Sequence, residues 1–140
     1  MRQPSPTSHL SSVRLFAGCS KKELTAIARG SDQLSVPDGH VLTRQDERAH
    51  EAFVITSGKA IVKRNGRKVA ELGPGDAVGE LGLLDRGVRT ATVVADGPTE
   101  VLVLGPREFS GLLHEVPSLA KKLLQNLART VRELDTKSYG

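Results

Sequence analysis

Tryptophan is absent from this chain, and its 140 residues hold only one tyrosine, three phenylalanines, one methionine and one cysteine. The core must therefore be built from Val, Leu, Ile and Ala, which suits a small β-structure with helical flanks. Cys19 cannot close an intramolecular disulfide, and no second cysteine or nearby histidine gives it metal-ligand spacing or a catalytic partner, so it reads as a small helix-flanking residue. The histidines, His9, His40, His50 and His114, are far apart and lack the His-x-His cluster that a metal-binding β-barrel enzyme would need. Neither an enzyme nor a metal or other cofactor is expected. No apolar run approaches the roughly 20 residues of a membrane span, and the N-terminus lacks the apolar core of a signal peptide, so a cytoplasmic protein without a membrane partner is expected.

One-sided charge is also missing. Against 16 acidic residues stand 20 lysines and arginines, a formal net charge of +4. The basic residues are scattered except for Lys63, Arg64, Arg67 and Lys68, which straddle Asn65-Gly66 and read as a solvated hairpin tip. Without a larger basic face or a helix-turn-helix pattern, direct binding of nucleic acid is not expected.

The length is that of one domain. It is placed at residues 13–135, after a Ser- and Pro-rich stretch, 1–12, read as a disordered tail, and before a short tail at 136–140. The middle of the chain alternates short apolar runs with turn signals, as a β-roll or barrel does, and leaves helices to the ends. Asn65-Gly66 signals a two-residue hairpin turn with both central residues at positive φ. Counting outward pairs Arg64 with Arg67, Lys63 with Lys68 and Val62 with Val69, which puts the two valines on one face. Gly105-Pro106 starts a helix whose Phe109, Leu112, Leu113 and Val116 share a face and pack inward. Pro117 opens a second helix, to about Asp135, in which Ala120, Leu124, Leu127, Val131 and Leu134 recur at the a/d spacing of a coiled-coil seam. That seam predicts either a homodimer or a helix lying on its own barrel.

The chemistry is concentrated between Val78 and Val93, where Glu80 and Arg89 stand nine residues apart on a glycine-rich loop. Gly79 and Gly82 lack a β-carbon, so backbone N–H groups can close on an anion, and Leu81 to Leu84 can form a short helical turn. A guanidinium at Arg89 offers two parallel N–H bonds to phosphate oxygens, while Glu80, an acceptor only, can take a hydrogen bond from a neighbouring hydroxyl. A ribose phosphate uses both.

These residues, as V-G-E-L-G-L-L, D-R-G-V and R-T-A-T-V-V-A, resemble the phosphate-binding cassette of cyclic nucleotide-binding domains of the catabolite activator and protein kinase regulatory subunit type, with Val78 replacing the usual aromatic. The flanks are similar too. Leu15 to Leu24 resembles the family's first helix, in which Ser20 and Glu23 form a capping box; Val36 to Leu42 resembles its turn before the second strand, and Gly73-Pro74-Gly75-Asp76 the turn feeding the cassette. The resemblance runs from about Leu15 to Leu134.

It implies an antiparallel, jelly-roll-like β-roll of about eight strands with an N-terminal helix and two C-terminal helices. It further implies a sensor of cAMP or cGMP: Arg89 on the cyclic phosphate with the N–H groups of Gly82, Thr90 and Ala91, Glu80 on the ribose 2′-hydroxyl, and Gly79 and Leu81 completing the cradle. Val62 and Val69 would line the purine, or merely pack the barrel. In eukaryotic branches a threonine at the position of Thr90 can reach the guanine 2-amino group, whereas bacterial members commonly use cAMP; cAMP is favoured. Ligand would draw in the terminal helix as a lid, with Thr130, Leu134 or Asp135 near the base. No output domain follows. The chain therefore reads as a stand-alone sensor acting on an effector protein or as the sensor part of a larger regulator, the alternative being an interaction module that keeps the fold without binding nucleotide.

Overall fold

Two 13-residue strands, β3 (Ala52–Arg64) and β6 (Thr92–Leu104), organise the molecule and pair antiparallel from Ala52 opposite Leu104 to Lys63 opposite Thr92. This computed structural model describes residues 6–48, 50–85 and 87–135; the parts of the expected tails at 1–5 and 136–140 lie outside it. Strand β1 (Asp32–Val36) and the short β2 (Val41–Thr43) pair with β6, while β4 (Arg67–Leu72) and β5 (Ala77–Val78) pair with β3, giving one antiparallel sheet in the order β1-β6-β3-β4.

The architecture is the expected one, mainly antiparallel β with helices at both ends, but the described residues form six strands rather than about eight. The reason is that β3 and β6 bend where shorter strands would break. Their register shifts twice between Ile55 and Lys59, around Gly58, whose φ of 89° suits a residue without a β-carbon. A β-carbon there would stand 2.5 Å from the Pro98 carbonyl oxygen of the facing strand. The buried Thr99 hydroxyl secures the bend at 3.0 Å from both the Lys59 and the Gly97 carbonyl oxygens.

Because side chains alternate along a strand, this sheet supplies two cores. Phe53, Ile55, Val93 and Val101 pack with Val36 and Val78 inside the roll, whereas Ala52, Val54, Leu102 and Leu104 pack against the helices. The helical side is more elaborate than expected. Ahead of α2 (Lys21–Arg29) come α1 (Pro6–Leu10) and a 3₁₀ turn (Arg14–Phe16), so residues 6–12 are not a loose tail. Leu10, 1% exposed, is part of the helix-side core, an apolar anchor that the surrounding Ser-rich composition obscured.

The hairpin turn forms as predicted, with φ of 53° at Asn65 and 79° at Gly66. Arg64 faces Arg67 and Lys63 faces Lys68, but a bulge then places Val62 opposite Ala70. The extra residue is Val69. It is not paired with Val62, and it is 53% exposed, as the one-residue offset of a bulge requires.

Helix α4 (Pro106–Glu115) buries Phe109 and Leu112, with Leu113 and Val116 partly buried beside them, as its periodicity predicts. Helix α5 (Pro117–Leu134) buries a stripe displaced by one residue from the expected seam, at Leu119, Leu123 and Asn126. Polar contacts fix it there. The Asn126 amide donates to the Leu15 and Ala17 carbonyls at 2.8 and 2.9 Å, and Arg14 pairs with Glu133.

A buried carboxylate ties α5 to α2. Ser20 and Glu23 form the predicted capping box, with Glu23 N donating to Ser20 Oγ at 3.1 Å and Ser20 N to Glu23 Oε1 at 2.8 Å. The same carboxylate accepts from Ser118 Oγ at 2.7 Å and pairs with Lys122. Burial alone would raise its pKa, but the hydrogen bonds from Lys122, Ser20 and Ser118 bring it from an ordinary 4.5 down to about 2. A depressed carboxylate stabilises the fold fully above about pH 4.5 and loses that contribution as pH falls toward 2. Urea unfolding at stepped pH should therefore show Glu23→Gln less stable than wild type at neutral pH, by about 1–3 kcal/mol, with the gap narrowing through this window. Parallel pH profiles for the two proteins would refute the linkage.

Candidate functional site

The segment from Gly79 to Ala91 folds around one side chain. Gly79 takes φ 71°, and its carbonyl accepts from Gly82 N at 3.1 Å, which starts the turn continued by α3 (Gly82–Asp85). The following stretch is held against the loop after β2: Arg89 N donates to Glu47 O at 2.7 Å, and Asp46 N donates to Arg89 O at 2.9 Å. Arg89 is thereby carried back under the turn. Its Nη2 donates to the Glu51 carbonyl at 2.6 Å and its Nη1 lies 3.5 Å from the Gly79 carbonyl.

Gly79 has no substitute in this arrangement. A β-carbon at that position would fall 1.9 Å from Arg89 Nη1, so the guanidinium occupies the space that any other residue would need. Arg89 is 9% exposed. Among the described residues no carboxylate lies within ion-pair distance of it. Burial lowers its pKa, and the charge of nearby Glu51 opposes that effect. Burial likewise raises the Glu80 carboxyl above its ordinary range, opposed by its own backbone N–H. A partly desolvated cation resting on neutral carbonyls is costly, and a matching anion would offset that cost.

Arg89 and Glu80 both line a cavity of about 350 Å³, within the size range of small-ligand pockets, about 300–1,000 Å³. Of the residues predicted for the site, Gly79, Leu81, Gly82, Thr90, Ala91 and Val62 also line it. Val69 does not, because the bulge removes it from the face of Val62. Thr130, Leu134 and Asp135 do not line it either: the buried stripe of α5 packs on the helix-side core, and Thr130 Oγ1 donates to Asn126 O within its own helix.

Of the three amides expected to meet an anion, that of Gly82 is already engaged by Gly79 O, while among the described residues none of the turn and loop hydrogen bonds uses those of Thr90 and Ala91. Four other lining residues, Thr43, Leu72, Ala77 and Arg64, were not assigned to the site from the sequence, Arg64 having been read only as part of the hairpin tip. Arg64 was legible there, since it lies two positions after Val62 on the same strand and period-two alternation puts both on one face. Its place in a run of exposed charges hid it.

Comparison with known proteins bears on the family and the fold. The family model for the cyclic nucleotide-binding domain matches residues 33–116. The chain is 35% identical over 133 residues to the cGMP-dependent protein kinase egl-4 of Caenorhabditis briggsae, covering 89% of this chain and 18% of the kinase. It is 32% identical over 126 residues to the cyclic AMP receptor protein of Thermus thermophilus, covering 86% of this chain and 58% of that protein. It thus spans less than two thirds of either relative. Among solved structures, the N-terminal domain of a transcriptional regulator from Streptomyces coelicolor superposes with a TM-score of 0.84 at 29% identity, over 94% of this chain and 99% of that one.

The interlock of Gly79 and Arg89 can be measured as a coupling. Gly66 also has positive φ but nothing within 4 Å of a β-carbon, so Gly66→Ala reports the backbone cost alone, about 1–2 kcal/mol. Gly79→Ala should cost about 1–2 kcal/mol more by denaturant unfolding, through the displaced hydrogen bonds of the guanidinium, and the excess should vanish in an Arg89→Ala background. An excess that persists without the guanidinium would place the clash elsewhere.

Proposed function

The chain belongs to the cyclic nucleotide-binding domain family, and on that premise we propose that it senses a cyclic nucleoside monophosphate, bound in the cavity between Gly79 and Ala91. The carrying observation is the buried guanidinium of Arg89, without an ion-pair partner among the described residues, lining a cavity that Glu80 also lines. A cyclic phosphodiester bears one negative charge and lies next to the ribose 2′-hydroxyl. Arg89 meets the charge, the Thr90 and Ala91 amides support it, and Glu80 accepts from the hydroxyl. Val62 lies against the purine. Thr90 offers a hydroxyl to either base, and we take cAMP as the preferred ligand on the bacterial pattern of the cassette, with cGMP as its competitor.

The output is a change in α5, which requires that nucleotide bind one helix arrangement more tightly than the other. The exposed apolar stripe Leu124, Val131 and Leu134 gives that helix a second face, suited to a homodimer in which the far end of α5, with Thr130 and Asp135, closes toward the base. The sensor acts in the cytoplasm on an effector protein or a further domain and has no catalytic role of its own.

Two measurements test this. Calorimetry on protein freed of carried-over ligand should detect cAMP and, more weakly, cGMP, and Arg89→Ala should weaken binding about ten- to a hundredfold, from the roughly 1.5–3 kcal/mol of a charge-assisted hydrogen bond. No binding by wild type would leave a fold used only for protein interaction. Sedimentation at several concentrations, with and without nucleotide, should show self-association that Val131→Asp abolishes without unfolding the chain, since Val131 is already exposed. A strict monomer in every condition would remove the dimer.

A further inference from the structure

The cavity holds a second guanidinium for which the phosphate and the ribose have no use. Arg64 ends β3, lines the same cavity as Arg89, and donates from Nε to the Thr90 carbonyl at 3.1 Å. Its four remaining N–H groups have no partner among the described residues.

The backbone carrying Arg64 is pinned to the same wall. Gln45 Oε1 accepts from Asn65 N and Gln45 Nε2 donates to Asn65 Oδ1, both at 2.8 Å, while Gln45 N donates to Thr92 Oγ1 at 3.0 Å. The hairpin tip is therefore stitched across to the segment that follows Arg89. Arg64 is exposed, yet its position is set by its own bond to Thr90 and by this reciprocal amide pair next to it.

Charge does not explain it. A cyclic phosphodiester carries one negative charge, which Arg89 already matches. What Arg64 still offers, with Nε fixed, is the flat face of a guanidinium, and a planar delocalised cation of this kind stacks on aromatic rings. Val62, on the same strand and the same face, bounds the cavity at that end with an apolar surface. Resting on the reading of the pocket as a cyclic-nucleotide site, we infer that Arg64 is a ligand-contacting residue that stacks on the base, with Val62 beside it and the Thr90 carbonyl as its anchor.

The test compares ligands with and without a base: cAMP, cGMP and the base-free cyclic 3′,5′-phosphate of ribose, titrated calorimetrically against the intact chain. Arg64→Ala should weaken both purine nucleotides about three- to tenfold, from the strength of a partly desolvated cation on an aromatic face, and shift base-free ligand less than twofold. Arg64→Lys, which keeps the charge but not the plane, should behave like Arg64→Ala, and thermal unfolding should be unchanged in both. Equal losses on base-bearing and base-free ligands, full rescue by lysine, or no loss on the purines would each overturn the stacking role while leaving the pocket assignment in place. Wild type that binds none of the three would instead overturn the pocket assignment itself, and this inference with it.

Discussion

A guanidinium held beneath a glycine sets the terms for the rest of this molecule. Arg89 reaches its position only because Gly79 has no side chain, because the loop after β2 pins the Arg89 backbone from both sides, and because Glu51 O takes one of its N–H groups. These partners meet it through backbone groups, and among the described residues no carboxylate comes within ion-pair distance, the charge of Glu51 acting only from farther off. Placing a cation among carbonyl dipoles fixes its orientation without an ion-pair contact, which leaves it able to take an anion in the cavity that it lines. The bulged hairpin and the short α3 supply walls of that cavity, through Val62, Arg64 and Leu72 and through Gly82 and Asp85.

The family, the mainly antiparallel fold and the residues that meet in the cavity were legible because they rest on local chemistry. Glycines at tight turns, a capping box between Ser20 and Glu23 and an Asn-Gly hairpin turn are decided within a few residues, and all three form. Failures came where a long-range choice decides the outcome. A bulge after Lys68 takes Val69 off the face of Val62, and nothing in the sequence around Asn65 marks the extra residue. The strand count fell short because it came from the resemblance, whereas β3 and β6 each continue as one 13-residue strand, β3 through a bend at Gly58 that lies against Pro98 and Thr99 of the facing strand. Residues 6–12 read as a tail because Leu10 is one apolar residue in a polar stretch, and its burial depends on helices more than ten residues away.

Helix α5 shows the same distinction on one element. Its apolar residues form two adjacent stripes, and periodicity alone cannot say which one its own core takes. Asn126 and Lys122 settle the matter by polar contacts: a buried amide that spends both N–H groups on the chain between Leu15 and Ala17, and an ammonium seated on the buried Glu23 carboxylate. Such contacts are directional, so they specify the rotation of the helix about its axis in a way that a greasy surface does not. The stripe left over, Leu124, Val131 and Leu134, is consequently an exposed face of defined direction.

The sheet of β3 and β6 is one layer thick, yet it closes two cores, with Phe53 and Val101 turned into the roll and Val54 and Leu102 turned toward the helices. Neighbouring residues on the same strand thus answer to different selection. One set packs the interior of the roll, where Val78 and Val93 also line the cavity, and the other packs on the helices outside. A lineage carrying this chain can therefore refit its helical cladding to a new partner by substitutions at alternate positions, and keep the inner lining unaltered.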